Sequence, residues 1–166
     1  MLLQKKVWQC IMGDSKKKKK VKQKEKPQKR SVVFGGNPEQ YYNEFPSWCF
    51  SKIDEEQWAF TQDNIKEVIW TEIFPFLKEL EKKKWHTILI EEKKKNHPIK
   101  VNDLNKIAQD RLAERCIEAE SIISLRITGT HRLYGYMVGK VFNILWYDNN
   151  HGDNEKCVCR SHKKHT

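Results

Sequence analysis

Two hydrophobic periods divide the chain. From Asp63 onward, Ile65, Val68, Ile69, Ile73, Phe76, Leu77 and Leu80 recur every three or four residues, which places them on one face of a helix. Asp63 or Asn64 can cap its first turn through a side-chain oxygen. Pro75 lies inside this stretch, and because proline removes a backbone hydrogen bond, a kink or a break is expected there. Trp85, Ile88, Leu89 and Ile90 add a further helical turn before the charged run 91–96. His97 to Val101 reads as a short strand, since a proline holds its predecessor extended. A second amphipathic helix, opened by Asn102 or Asp103, carries Leu104, Ile107, Ala108, Leu112 and Cys116.

Beyond Cys116 the period falls to two. Ile122–Thr128, His131–Met137 and Lys140–Tyr147 are candidate strands, with Val138-Gly139 placed as a two-residue hairpin turn. Trp48 to Ile53 has the aromatic and β-branched character of a first, edge-like strand. The order is strand, helices, then antiparallel meander. It predicts an α+β domain with helices packed on one face of a small antiparallel sheet. Ser31 to Ser47 is rich in turn residues, including Gly35-Gly36-Asn37-Pro38 and Pro46. The expected division is therefore a basic, largely disordered arm over 1–47 and a single domain over 48–166.

A turn at Val138-Gly139 sets Met137 opposite Lys140, and so pairs Leu133 with Ile144, Gly135 with Phe142 and His131 with Trp146. Arg132, Tyr134, Tyr136, Val141, Asn143, Leu145 and Tyr147 then share the other face, joined by Arg126 of the preceding strand. Two readings of that face stay open. Guanidinium groups, phenols and an amide suit phosphate pairing and base stacking. Tyrosines and arginines also commonly cover the wet side of an antiparallel sheet.

Charge changes the picture less than its total of +10 suggests. Ser15 to Arg30 holds ten Lys or Arg and one Glu, and Ser31 to Thr166 balances 20 basic against 20 acidic residues. The lysine-rich run fits a nucleic-acid- or ribosome-binding arm, a nuclear address in a eukaryote, or a solubilising linker. Within the neutral remainder, Arg126 to Thr166 has seven basic and three acidic residues, so a polyanion bound through the fold would be met there. No apolar run approaches the roughly 18 residues needed to span a bilayer. The N-terminal MLLQKKVWQCIMGDS also lacks a secretory pattern, and a cytoplasmic, membrane-free protein is expected. Five cysteines without an export signal do not suggest a disulfide framework.

The stretch LRITGTHRLYGYMVGKVFNILWYD, Leu125 to Asp148, resembles the C-terminal hairpin of the RelE/HigB/YoeB superfamily of bacterial toxins, small ribonucleases of toxin–antitoxin systems. In that hairpin a strand arginine, a glycine turn, a second arginine and an aromatic precede a hydrophobic strand with a His/Asp-containing end. The resemblance implies a RelE-like fold and an mRNA interferase that cleaves RNA without a metal or other cofactor. It also implies an antitoxin protein as partner and, in the ribosome-dependent version, ribosome-bound mRNA as substrate. Such cleavage needs a base for the ribose 2′-OH, cations for the phosphorane-like transition state and an acid for the leaving oxygen.

Arg126 and Arg132 match the strand arginines and would hold the scissile phosphate. His151 and His165 are the acid/base candidates, because imidazole titrates near neutral pH. Lys163 and Lys164 would add charge, while Tyr134 and Tyr136, with Asn143 and Tyr147 on the same face, would contact bases. His131 is expected to be a satisfied, partly buried residue on the Trp146 side, and His86 and His97 are given no role. The chain departs from the pattern in its length, in one extra residue between Arg126 and Arg132, and in the loop 151–156. Its ending, Trp146, Asp148, His151, Cys159, Ser161, Lys164, His165 and Thr166, also resembles that of a group of small prokaryotic proteins, a likeness that names no activity.

Three alternatives differ in chemistry. Cys157, Cys159, His162 and His165, with or without His151, offer zinc-type ligands, although Cys-x-Cys is tighter than the usual knuckle. A non-catalytic nucleic-acid-binding module would use the same Arg/Tyr face. A protein-interaction domain would use Tyr and Arg as interface anchors. Walker, GxSxG, dinucleotide and HExxH motifs do not occur in the sequence.

Overall fold

A computed structural model describes residues 31–32, 40–153 and 156–159. In chain order its elements are β1 (Ser31–Val32), β2 (Ser47–Cys49), the one-turn helix α1 (Gln62–Ile65), and a π-helical turn Ile69–Ile73 leading into α2 (Phe74–Leu80). A second π-helical turn Thr87–Glu91 precedes β3 (His97–Lys100), α3 (Lys106–Glu114), β4 (Ile117–Glu118), β5 (Ser121–Arg126), β6 (Arg132–Val138) and β7 (Val141–Asp148). The fold is α+β. Its main sheet has five strands in the order β2-β7-β6-β5-β3, and a two-stranded pair joins β1 to β4.

The sheet is mixed rather than wholly antiparallel, because β2 runs parallel to β7. Helical segments also cover both of its faces, where one was expected. On one side Ile123, Leu125, Leu133, Met137, Phe142, Ile144 and Tyr147 pack against Ile65, Ile73, Leu77, Leu80, Trp85, Ile88 and Leu89. On the other, Ile122, Tyr134, Tyr136, Leu145 and Trp146 pack against Leu104, Ala108 and Leu112 of α3, together with Ile117 and Val158. The apolar stripe of α3 must leave water somewhere, and it does so on the face that looked polar in sequence.

Pro75 sits in the first turn of α2, where no donor is required of it, and the preceding turn is widened by the Phe74 N–H bonding back to Ile69 O. The cap of α3 is Asn105, whose Oδ1 accepts the Ala108 N–H at 2.7 Å, while residues 101–103 form a 3-10 turn. Packing begins ahead of the boundary expected at 47/48. Tyr41 is buried in the first core, and the Glu44 and Tyr42 carbonyls accept the N–H groups of Trp85 and His86.

The hairpin turn lies at Gly139-Lys140, with Gly139 in the left-handed region at φ +57° and Val138 facing Val141. This two-residue shift in pairing preserves the faces from Met137 back to Gly135. A bulge between Tyr134 and Gly135 then leaves Leu145 as an extra residue, so that Tyr134 faces Trp146 and Leu133 faces Tyr147. Tyr147 and Trp146 have thus exchanged the sides assigned from strict alternation. The loop after β2 fixes the bulge: the Asp54 N–H donates to Leu145 O at 2.8 Å, and the Tyr147 N–H to Trp58 O at 3.0 Å.

Candidate functional site

Two rows of residues cross the sheet near the β5–β6 connection. One runs His97, Ser124, Tyr134, Trp146, and the next Arg126, Arg132, Asp148. Paired residues share a face, so the arginines, Ser124, Tyr134 and His97 lie on the side that carries α3. At this end of the sheet both expected arginines therefore come together.

Arg132 is only 5% exposed, contrary to the open position expected for it. Its Nη1 donates to the carbonyls of Thr128 at 2.6 Å and His131 at 2.9 Å, which fixes the guanidinium in the loop 127–131. Its Nε and Nη2 make no hydrogen bond among the described residues, yet they are not sealed from solvent. Arg126 is exposed, and its Nε reaches Thr128 O at 3.4 Å. Among the described residues no carboxylate lies within ion-pair distance of either arginine. Burial, and next the charge of Arg126, pull the Arg132 guanidinium below its ordinary value. Like charges opposed across neighbouring strands cost stability unless an anion joins them.

Asp148 neighbours Arg132 but serves the backbone. Its Oδ1 accepts from the Asn150 N–H at 2.8 Å and its Oδ2 from the Val158 N–H at 3.1 Å. Burial pushes this carboxyl up, against the opposing pull of those two bonds and of Arg132.

Tyr134 is fully buried, its hydroxyl 3.1 Å from Cys159 Sγ and 3.3 Å from His151 Nδ1. Burial raises both the phenol and the Cys159 thiol, so each is neutral at pH 7. The expected base-stacking role is closed to Tyr134 and Tyr136, which lie beneath α3. Asn143 is buried as well, and among the described residues its Nδ2 has a 3.5 Å contact to Val141 O. Tyr147 belongs to the opposite core, where burial, then Glu72, push it up to about 12. What Tyr134 can do is hold His151, whose backbone N–H is anchored to Thr130 O at 3.0 Å.

His97 was missed from the sequence, which gave it no role. The edge position of β3 sets it opposite Ser124, one row from the arginines. Desolvation first, and the charge of Arg132 second, hold its imidazole below the ordinary value. The only available signal was the extended His97-Pro98 dipeptide, which does not reveal which strand it will join.

His131 is partly buried and bonded, as expected, although on the Tyr147 side: its Nδ1 lies 2.6 Å from Glu72 Oε2 and 3.1 Å from the Tyr147 hydroxyl. Cys157 Sγ donates to Cys159 O at 3.1 Å. Among the described residues no group of three or more His, Cys, Asp or Glu side chains converges as a metal set. His162, Lys163, Lys164 and His165 lie outside the described residues.

Among the described residues no helix is long and apolar enough to cross a membrane. No protein-family model matches the chain, and no curated protein or solved structure is significantly similar to it.

Proposed function

We propose that the chain acts on RNA, with Arg126 and Arg132 holding a backbone phosphate, and that it is a metal-independent endoribonuclease of the RelE type. One observation carries this: two arginines opposed on neighbouring strands, without a carboxylate at ion-pair distance among the described residues. Guanidinium groups so placed favour the phosphodiester monoanion and, more strongly, the dianionic phosphorane-like transition state.

His97 and His151 flank the arginines and supply the proton chemistry. His97, held neutral at pH 7, suits the base that takes the 2′-OH proton, and His151 suits the acid that protonates the leaving 5′-oxygen. His165, outside the described residues, remains a further acid/base candidate. The proposal extends to a cytoplasmic toxin with an antitoxin partner and mRNA on the ribosome as substrate.

The enclosure of Tyr134 and Tyr136 favours a second reading, a non-catalytic module that grips the RNA backbone through Arg126 and Arg132 alone. Labelled mRNA incubated with the protein in EDTA, and separately with ribosomes, distinguishes the two. Cuts that vanish in Arg126→Ala support the ribonuclease. Salt-sensitive retention without cuts supports the module, and the absence of both cuts and retention removes RNA as the ligand.

A further inference from the structure

Arg126 also lines a second feature at this end of the sheet. A cleft of about 380 Å³ opens between α2 and the β5–β6 connection, a volume within the range of small-ligand sites. Phe76, Leu80 and Ile127 give it apolar walls, and Phe76 and Ile127 are only partly buried. Four charged side chains besides Arg126 also line it. Glu92 is paired with Lys83 at 2.5 Å and Glu79 with Lys82 at 2.6 Å, which leaves Lys95 and Arg126 without a carboxylate partner among the described residues. The excess charge at the mouth is therefore positive. Asn96, 1% exposed, fixes the geometry by accepting the Arg126 N–H on its Oδ1 at 2.9 Å.

We infer that this cleft receives one nucleobase of an RNA strand, the base next to the phosphate held by Arg126 and Arg132. The inference rests on the phosphate site proposed above. A flat, apolar-faced ring with a polar edge matches a slot walled by Phe76 and Ile127 and floored by Leu80. The anionic backbone that carries the ring matches Lys95 and Arg126 at the rim. Arg126 couples the two features, since its backbone is pinned to the wall of the cleft while its side chain belongs to the arginine pair. The cleft also supplies the base contacts that the buried Tyr134 and Tyr136 cannot make.

The test is fluorescence anisotropy with the full chain and a labelled RNA of about six nucleotides, in EDTA, at salt high enough to suppress binding through the lysine-rich segment 15–30. A single abasic ribose is moved through every position. In the wild type one position should carry a penalty of about fivefold or more, the lower end of what a stacked base contributes. Two variants then locate the base. Phe76→Leu keeps an apolar wall but removes the ring. Gly129→Leu adds bulk at the rim, where a Cβ meets nothing within 4 Å. Both should shrink the abasic penalty to within about twofold, with melting temperatures near that of the wild type.

An RNA that binds with no position-specific penalty, or a penalty unchanged in either variant, overturns the subsite while leaving the phosphate site standing. Failure of the wild type to bind intact RNA, or binding indifferent to Arg126→Ala, overturns the phosphate site and the subsite with it.

Discussion

Asp54 and Arg111, 57 residues apart, form a two-pronged ion pair, Oδ2 to Nε at 2.8 Å and Oδ1 to Nη2 at 3.0 Å. The same carboxylate accepts from Trp146 Nε1 at 3.1 Å and from the Glu56 N–H at 2.9 Å. It thereby ties the loop after β2 to α3 and to the bulged part of β7. Asp54 is 1% exposed, and Arg115 Nη1, 3.5 Å from its Oδ2, is buried without a hydrogen bond among the described residues. Asp54→Ala should therefore lower stability by roughly 3 kcal/mol, because it leaves charge uncompensated in the interior. A fall in melting temperature of roughly 10 °C is the expected readout.

The same pair makes acid unfolding diagnostic. Burial by itself would raise the Asp54 carboxyl, but the bonds from Arg111, the Glu56 N–H and Trp146 outweigh it and hold the group well below the usual carboxylate range. A depressed folded value means that the stabilisation is present above the unfolded value, about 3.9, and is lost as pH falls toward the folded one. Denaturant midpoints measured downward from pH 5 should decline in the wild type and decline less steeply in Asp54→Asn. Parallel slopes would remove Asp54 as the cause.

Arg126→Ala should leave stability within about 0.5 kcal/mol of the wild type, since the residue is exposed and opposes another cation. RNA retention is expected to weaken, with the slope of log affinity against log salt reduced by about one. Arg132→Ala is the less informative variant, because it also removes two bonds to the carbonyls of the loop 127–131.

His97 should titrate below the ordinary imidazole value of about 6.5, because partial desolvation and the charge of Arg132 disfavour its cation. Its two-dimensional NMR titration reports this directly, and Arg132→Met should move it upward by removing the nearby charge. If His97 is the base, the acid limb of the wild-type cleavage rate should fall where this imidazole titrates.

Gly135→Ala should cost about 1–3 kcal/mol. A Cβ there would meet the Asn143 carbonyl and lie 2.6 Å from the Phe142 ring, in the tightest part of the bulged hairpin. Chemical unfolding measures the loss, and Gly129→Ala, where space is open, serves as the comparison.

Much of the architecture was legible because it is local. The three- and four-residue spacing from Ile65 to Leu80 marked the first helical layer, and alternation marked β5, β6 and β7. Arg126 and Arg132 were legible as site candidates because flanking one short connection forces them to face each other. The burial of the face that looked polar was not, since Tyr134, Tyr136 and Asn143 alternate in the same way whether water or α3 lies above them. His97 was missed because the neighbour of β3 is set by topology, not by residues around His97.

By itself, then, the sequence determined the periods, the α+β class and the arginine pair, all of which follow from the repeat of a helix or a strand and from chain continuity. Only the tertiary structure decided that both faces of the sheet are covered, which side Tyr147 took and what stood beside Arg132. Those depend on long-range bonds such as the Asp54 N–H to Leu145 O, which hold a bulge that strict alternation cannot contain.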